Sequence, residues 1–261
     1  MVLSDTDRRE ESRLLMEAER DRAQIPGSSR RWPDITLEDS YAIADVGIQT
    51  KVSAGAKIRG KKIGLTSRAM QRSSQIDQPD FGTLLDTMFI EDGGTAMIDR
   101  YCVPRVELEL AFILGDRLEG PGVELHDALR ATEFVVPSIE IIDARAQDPR
   151  TIFDTVADNG AAAGVVLGGR PVDPIQTDLR WVGAMMYRNA EIEETGLAAG
   201  VLGHPGRAVA WLANKSAEFG TSLEPGEVIL TGSFTRPVWA QKGDTLLGDF
   251  GDLGTVSVRF V

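Results

Sequence analysis

The sequence predicts an α+β protein in which a helical N-terminal segment precedes a larger, strand-rich part. Residues 5–22 are dense in charge and carry Leu14, Leu15 and Ala18 at helical spacing. After Gly55 the pattern changes to short apolar runs separated by turns rich in glycine, proline and aspartate. Few helices and many strands indicate a β-rich fold with long connections. We therefore expect a helical segment over residues 1–55 and one domain over residues 56–261.

Three helices are expected along the chain. The first covers residues 5–22. The second begins after Thr36, because Thr36 and Asp39 have the spacing of a capping box. The third covers residues 204–219, with Pro205 in its first turn.

Seven strands are expected from short apolar runs that lie between turn residues. They cover residues 61–65, 106–114, 134–142, 162–167, 181–188, 228–230 and 255–261.

Composition excludes several classes of protein. The chain has 261 residues and a formal net charge of −12, which argues against nucleic acids and anionic membranes as partners. Hydrophobic residues make up 42%, too many for a disordered chain. The only cysteine is Cys102, and the only histidines are His126 and His204, so a zinc site of Cys and His is not expected. The N-terminal residues are charged, and no run approaches the length of a membrane span, so we expect a cytoplasmic protein.

One strand carries the most informative pattern. Side chains alternate between the two faces of a strand, so Glu107 and Glu109 share a face with Ala111 and Ile113. The apolar end of this face suggests that the two carboxylates point into an enclosed space. A half-solvated strand with its glutamates in water fits the same pattern.

A third carboxylate lies in a second apolar run. Glu140 is flanked by Ile139 and Ile141, and burying an unpaired ionised glutamate is costly. If the two strands are neighbours, three carboxylates converge. Their mutual repulsion raises their pKa values unless a cation compensates it. Oxygen ligands without His or Cys favour a hard cation, Mg²⁺ or Mn²⁺.

Several motifs in the same order resemble the 2-oxo-alkenoate hydratase and decarboxylase branch of the fumarylacetoacetate hydrolase superfamily. The resemblance extends from about residue 36 to the end, and is strongest towards hydratases of 2-oxo-hept-4-ene-1,7-dioate and 2-oxopent-4-enoate. It is carried by residues 61–67, residues 73–82, the Glu-x-Glu strand, residues 139–143 and residues 232–237.

The resemblance implies a fold, an activity and a site. The fold is a mixed β-roll or barrel with a helical N-terminal part, assembled into homo-oligomers, and residues 56–261 form the catalytic domain. The activity is that of a Mg²⁺-dependent lyase, a hydratase of aromatic meta-cleavage catabolism. The metal ligands are Glu107, Glu109 and Glu140. The catalytic residues are Lys62 together with Asp80 and Glu133, either of which could orient the water, and the substrate contacts are Ser233 and the backbone near Leu65.

Alternatives remain open at this point. Without the resemblance, Lys62 fits a surface lysine in the basic run 59–62, and Asp80 fits a turn residue after Pro79. Arg68 and Arg72 are candidates for pairing with a second substrate carboxylate, but helix-surface charge is the safer interpretation of them. A 2-oxo-3-hexenedioate decarboxylase shares the expected site, and a non-catalytic partner subunit associated with a pathway decarboxylase is a further alternative.

Overall fold

The computed structural model describes residues 2–68, 71–72, 76 and 78–261. Four residues of the predicted motif at 73–82 lie outside the described residues; they are Ser73, Ser74, Gln75 and Asp77.

The described residues form six α-helices, thirteen strands and several short 3₁₀ turns. The helices are α1 (Asp5–Asp21), α2 (Ser28–Arg31), α3 (Leu37–Ser53), α4 (Leu125–Ala131), α5 (Ile152–Ala157) and α6 (Pro205–Ala217). The strands are β1 (Ile58–Gly64), β2 (Asp80–Leu85), β3 (Phe89–Ile90), β4 (Gly94–Ala96), β5 (Arg105–Leu114), β6 (Thr132–Ile142), β7 (Ala162–Leu167), β8 (Gly183–Arg188), β9 (Glu191–Leu197), β10 (Val228–Leu230), β11 (Val238–Trp239), β12 (Thr245–Asp249) and β13 (Thr255–Phe260). None of the helices in these described ranges is long and apolar enough to cross a membrane.

The larger sheet contains eight strands in the order β2-β1-β10-β5-β6-β7-β3, with β11 paired to the start of β5. Its two ends approach each other at Asn159. The side-chain amide of Asn159 accepts a hydrogen bond from Thr83 N at 2.7 Å and donates one to Thr83 O at 2.9 Å. Asn159 precedes β7, whereas Thr83 lies in β2, so this contact curls the sheet towards a barrel.

The second sheet has five strands in the order β4-β13-β12-β8-β9. It packs on one face of the larger sheet, and helices α4 and α6 cover the rest of that face. Leu108, Leu110 and Phe112 of β5 belong to one buried cluster with Val258 and Phe260 of β13. At about 25 cal/mol per Å² of apolar area buried, this shared core is the main source of stability for the fold.

The N-terminal helices cover the other face of the larger sheet. Ile48 of α3 packs in a buried cluster with Leu84 of β2 and Val165 of β7. A separate cluster joins Leu15 of α1 and Ile43 of α3 to Ala157 of α5. The predicted α+β class with a helical N-terminal part is confirmed, while the division of the chain at residue 55 stays a prediction.

The predicted elements agree with the structure where the apolar pattern is strong. All seven expected strands are present, and the predicted start at Trp181 moves to Gly183, because residues 179–181 form a 3₁₀ turn. The capping box predicted at Thr36 and Asp39 is present at the start of α3. Helix α1 also begins with a capping box, formed by Ser4 and Asp7, which was not predicted from the sequence. Six strands lack a strong pattern and were missed: β2, β3, β4, β9, β11 and β12.

Candidate metal centre

Strands β5 and β6 bring three carboxylates together. The antiparallel register pairs Glu107 directly with Glu140, so both side chains lie on the same face, and Glu109 follows two residues along β5. One carboxylate oxygen from each residue lies within 4.8 Å of the other two. Glu109 and Glu140 are buried and Glu107 is partly buried. The structure therefore brings together the three residues that the sequence predicted as metal ligands.

Packing on both faces of β5 explains why these acids point inwards. Leu108 and Leu110 fill the core between the sheets, which turns the alternate residues to the concave face. Further along the concave face, Ala111 packs with Val136 and Leu230 in a second buried cluster. The acids thus lie above an apolar floor, in the enclosed space that the sequence pattern suggested.

Lys62 enters the cluster from β1. Its ammonium Nζ lies 3.3 Å from Glu140 Oε1 and donates a hydrogen bond of 2.9 Å to Gly160 O. The side chain is buried. Burial alone would lower the pKa of Lys62, but the charges of Glu140 and Asp80 outweigh this effect and raise it. Lys62 therefore keeps its positive charge inside the site.

Asp80 is the first residue of β2 and lies beside Lys62. The β1–β2 register pairs Asp80 with Gly64 and Gly82 with Lys62. Asp80 is buried, and neither carboxylate oxygen forms a well-directed hydrogen bond with a described residue. Burial raises the pKa of Asp80, and the charge of Lys62 opposes this rise. An unsatisfied buried carboxyl group beside a lysine is a suitable proton carrier.

The three glutamates destabilise one another as anions. Burial raises the pKa of Glu107 to about 7, and the charge of Glu140 adds to the effect. Burial, followed by the charges of Glu140 and Glu107, raises the pKa of Glu109 well above its ordinary value. Burial also raises the pKa of Glu140, although Lys62 opposes it. One lysine is thus not enough positive charge for this group of acids.

The donor set fits a hard divalent cation. Glu109 Oε2 accepts a hydrogen bond of 2.7 Å from the Gly232 amide, whereas Glu109 Oε1 has no hydrogen-bond partner among the described residues. Neither oxygen of Glu140 has a well-directed hydrogen bond, although Oε1 is close to Lys62. Buried carboxylate oxygens without donors are costly unless a cation binds them. Three carboxylates without His or Cys suit Mg²⁺ or Mn²⁺ better than Zn²⁺.

Glu107, Glu109 and Lys62 line a cavity of about 890 Å³. Leu65 and Ser233, the two predicted substrate contacts, both line it. Leu65 has a left-handed backbone (φ 55°), an uncommon conformation for leucine that is often found at functional sites. Ser233 Oγ lies 2.9 Å from Thr235 O and accepts a hydrogen bond from Thr235 N at 3.1 Å, so its hydroxyl has local partners.

Glu133 lies away from this group. It is exposed, and it precedes Glu140 by seven residues on β6, which corresponds to about 23 Å along a strand. Its Cβ lies near Gly115, outside the lining of the cavity. The structure thus does not bring Glu133 to the acids, and the role that the resemblance implied for it finds no support in the geometry.

Some residues of the site were missed in the sequence. Arg105 lines the cavity and shares the strand face of Glu107 and Glu109, so the same alternation could have identified it. Gly160 and Gly232 bind Lys62 and Glu109 through backbone atoms, for which no side-chain pattern exists.

Comparison with known proteins agrees with this geometry. Residues 59–261 match the family model described as fumarylacetoacetate (FAA) hydrolase C-terminal. The chain is 54% identical to 2-oxo-hept-4-ene-1,7-dioate hydratase from Escherichia coli over 95% of both chains. It is 40% identical to 2-hydroxyhexa-2,4-dienoate hydratase from Comamonas testosteroni over 94% of both. The sequence motifs showed a resemblance only from about residue 36 onwards. These matches cover 94–95% of the chain, so they also include part of the helical segment before residue 36.

A solved structure has the same fold over the whole chain. The 4-oxalocrotonate decarboxylase from Pseudomonas putida G7, complexed with magnesium and adipate, superimposes with a TM-score of 0.96 at 33% identity. The match covers 100% of this chain and 99% of the decarboxylase. The family model and the extent of these matches lead to one conclusion: the chain belongs to the fumarylacetoacetate hydrolase family, among its hydratases and decarboxylases.

Proposed function

We propose that this protein is a divalent-metal-dependent hydratase. Its substrate is a 2-hydroxy-dienoate or the 2-oxo-enoate tautomer, with 2-oxo-hept-4-ene-1,7-dioate as the preferred compound, in the catabolism of aromatic compounds. The observation that carries the proposal is the 54% identity to a hydratase of that compound over nearly the full length of both chains. The convergence of Glu107, Glu109 and Glu140 beneath a large cavity supports it.

Glu107, Glu109 and Glu140 would hold the cation, Mg²⁺ or Mn²⁺. When bound there, the cation supplies a Lewis acid that polarises the oxygens at the 1-carboxylate end of the substrate. The Gly232 amide fixes the Glu109 carboxylate through Oε2, whereas Oε1 has no hydrogen-bond partner among the described residues. Gly160 O fixes the Lys62 ammonium in the same way.

Asp80 would transfer protons, and Lys62 would stabilise negative charge on the substrate. The reaction moves a proton from the 2-hydroxyl group to the carbon chain before water adds to the conjugated alkene. Asp80 has a raised pKa and no hydrogen-bond donor of good geometry, so its carboxyl oxygens can accept and return a proton. Lys62 Nζ stays charged and stabilises negative charge that develops on the substrate.

Apolar side chains and a charged loop together form part of the cavity wall. Ile142 and Phe153 line the cavity, together with the loop of residues 148–151. The apolar side chains would strengthen the electrostatic contacts inside the site and limit competing proton transfers.

A product analysis tests the proposal. Purified protein with Mg²⁺ is offered 2-oxo-hept-4-ene-1,7-dioate, 2-hydroxypenta-2,4-dienoate and 2-oxo-3-hexenedioate in parallel, and products are identified by mass spectrometry. We expect the gain of one water, fastest with the seven-carbon dioate, and none after chelation with EDTA. Loss of CO₂ from the hexenedioate without hydration of the others would instead identify a decarboxylase. No turnover of any compound would favour the non-catalytic subunit.

Assembly is a separate part of the proposal. We expect a homo-oligomer in the cytoplasm, and an association with a pathway decarboxylase is consistent with the decarboxylases among its relatives. Light scattering on the purified protein measures its oligomeric state, and light scattering on its mixture with such a decarboxylase measures the association.

A further inference from the structure

Arg105 is an arginine without an acidic partner in the wall of the cavity. Among the described residues, Arg8, Arg31 and Arg145 each pair with a buried carboxylate. Arg105 is also partly buried, yet it forms no ion pair and no hydrogen bond with a described residue, and its Nε is shielded from solvent. A guanidinium that is partly desolvated and unpaired is costly, so it indicates a missing anion.

The position of Arg105 is set by two strands. It begins β5, two residues before Glu107 and on the same face, so their Cα atoms lie about 7 Å apart. On its other side, β11 pairs Trp239 with Arg105, and the guanidinium carbon lies 5.0 Å from the centre of the indole ring. This cation–π contact orients the guanidinium without neutralising it.

Arg150 contributes a second positive charge to the same cavity. Among the described residues, Arg150 forms a side-chain hydrogen bond only through Nε, to Asp148 Oδ1 at 2.9 Å. Asp148 is largely exposed, so the surface pair neutralises Arg150 only weakly. Arg105 and Arg150 both line this cavity, and their like charges repel each other. An anion between them would remove this repulsion.

We propose that Arg105 and Arg150 bind the distal carboxylate of a dicarboxylate 2-oxo acid whose 2-oxo end lies at Glu107, Glu109 and Glu140. The inference rests on the proposed function and specifies its substrate class. A planar guanidinium forms paired hydrogen bonds with a carboxylate, whereas an alkyl terminus would leave both arginines unpaired. The two arginines thus select a dicarboxylate over a monocarboxylate.

The arginines suggested by the sequence do not occupy this position. Arg68 and Arg72 are exposed, and neither is among the described residues that line the cavity. The preference for a distal carboxylate is therefore assigned to the start of β5 and the loop before α5.

A pair of inert ligands isolates the distal carboxylate. 2-Oxohexanedioate and 2-oxohexanoate have the same length and differ only in that group. Their dissociation constants are measured by calorimetry in Mg²⁺ for the wild type, Arg105→Gln and Arg105→Lys. We expect the wild type to prefer the dioate by about 10- to 100-fold, as for a charged hydrogen bond. Arg105→Gln should remove most of this preference, and Arg105→Lys should restore part of it.

The matched control is Arg117→Gln, an exposed arginine paired with Glu119 and Glu224 away from the cavity. Its ratio of dissociation constants should equal that of the wild type. An unchanged ratio in Arg105→Gln would overturn the inference while the proposed function stands. Failure of the wild type to bind either 2-oxo acid in Mg²⁺ would instead count against the proposed function itself.

Discussion

Lys62 is the residue to which we assign the central positive charge of the proposed site. Its ammonium is buried 3.3 Å from Glu140 and is held by Gly160 O. Replacement by methionine keeps the length and the apolar stem but removes the charge and the proton donors. We expect Lys62→Met to lose turnover by at least about 100-fold, the contribution usual for a positioned acid or base, and to retain divalent metal. Steady-state kinetics and a Mn²⁺ titration measure the two effects separately.

The neighbouring lysine provides the control. Lys61 points to the opposite face of β1, where its ammonium lies 5.5 Å from the centre of the Phe81 ring. Lys61→Met should keep near-normal turnover. Equal losses in the two variants, or loss of metal from Lys62→Met, would refute the role given to Lys62.

At this scale the sequence identifies some residues directly and others only through resemblance. Alternation along β5 places Glu107 and Glu109 on one face, because strand geometry is regular. Lys62 lies in a basic run and Asp80 follows a proline, so local patterns favour a surface and a turn for them. Only the β1–β2 register brings these two together, and register is a long-range property.

Among the elements, the N-terminal helices are linked by Asp39, which forms the capping box of α3 with the N-cap residue Thr36. Asp39 is buried and accepts hydrogen bonds from Val2 N at 2.8 Å, Arg8 Nε at 3.1 Å and Thr36 Oγ1 at 2.9 Å. Removing a buried, hydrogen-bonded charge leaves its partners unpaired. We expect Asp39→Ala to lower the free energy of unfolding by about 3 kcal/mol, measured by urea denaturation.

Asp5 tests whether this loss is specific. It also pairs with Arg8, but it is exposed, so Asp5→Ala should cost less than about 1 kcal/mol. Comparable losses from both variants would contradict the linking role of Asp39.

Hydrogen bonding lowers the pKa of Asp39 to about 2, although burial of the carboxylate opposes this shift. Its stabilising contribution is therefore full above pH 3.8 and is lost as the pH falls through 2.

The turn after β10 positions a metal ligand through its backbone. Gly232 has φ 99°, and an added Cβ would collide with Thr66 Oγ1. We expect Gly232→Ala to displace the amide that binds Glu109 and to weaken Mn²⁺ binding by about tenfold, the effect usual for partners that orient a ligand.

Gly226 is the matched glycine. It also has a positive φ, of 83°, but an added Cβ would meet nothing within 4 Å. Gly226→Ala thus introduces the same kind of backbone strain without the collision, and should leave Mn²⁺ affinity unchanged. If both variants bind Mn²⁺ like the wild type, Gly232 does not orient Glu109.

Elements with a weak pattern could not be predicted for physical reasons. β9 is largely exposed, so its sequence lacks the apolar alternation of a half-buried strand. β12 contains Gly248, whose missing side chain leaves room for Leu108 Cδ2 at 2.6 Å from an ideal Cβ position. Gly248 therefore allows close packing between the two sheets, whereas a glycine at this position in the local sequence pattern predicts a turn.

For the whole molecule, the buried acids couple stability to pH and to metal. The pKa of Glu107 is raised to about 7, and those of Glu109 and Glu140 are raised in the same direction. The folded state thus holds protons that the unfolded state has released. The contribution of Glu107 is full below about pH 4.5, its ordinary value, and is lost as the pH rises through 7. The raised pKa values of Glu109 and Glu140 act in the same direction.

This linkage predicts a difference between the metal-free and the metal-bound protein. In EDTA, Tm should fall as the pH is raised from 6 to 8. At the proposed site Mg²⁺ would bind the deprotonated acids, so the rise in Tm that it causes should be larger at pH 8 than at pH 6. Thermal denaturation followed by circular dichroism measures both. A Mg²⁺-induced rise in Tm that is larger at pH 6 would be incompatible with metal binding at these acids.

Mn²⁺ binding followed by electron paramagnetic resonance tests most directly whether Glu107, Glu109 and Glu140 form one divalent metal site. We predict one Mn²⁺ per chain in the wild type, displaced by Mg²⁺. Glu107→Gln should bind Mn²⁺ at least about tenfold more weakly. Glu133 is an exposed glutamate on β6, the strand that carries Glu140, and Glu133→Gln should bind Mn²⁺ like the wild type. Stoichiometric binding of equal affinity in Glu107→Gln and the wild type would contradict the claim.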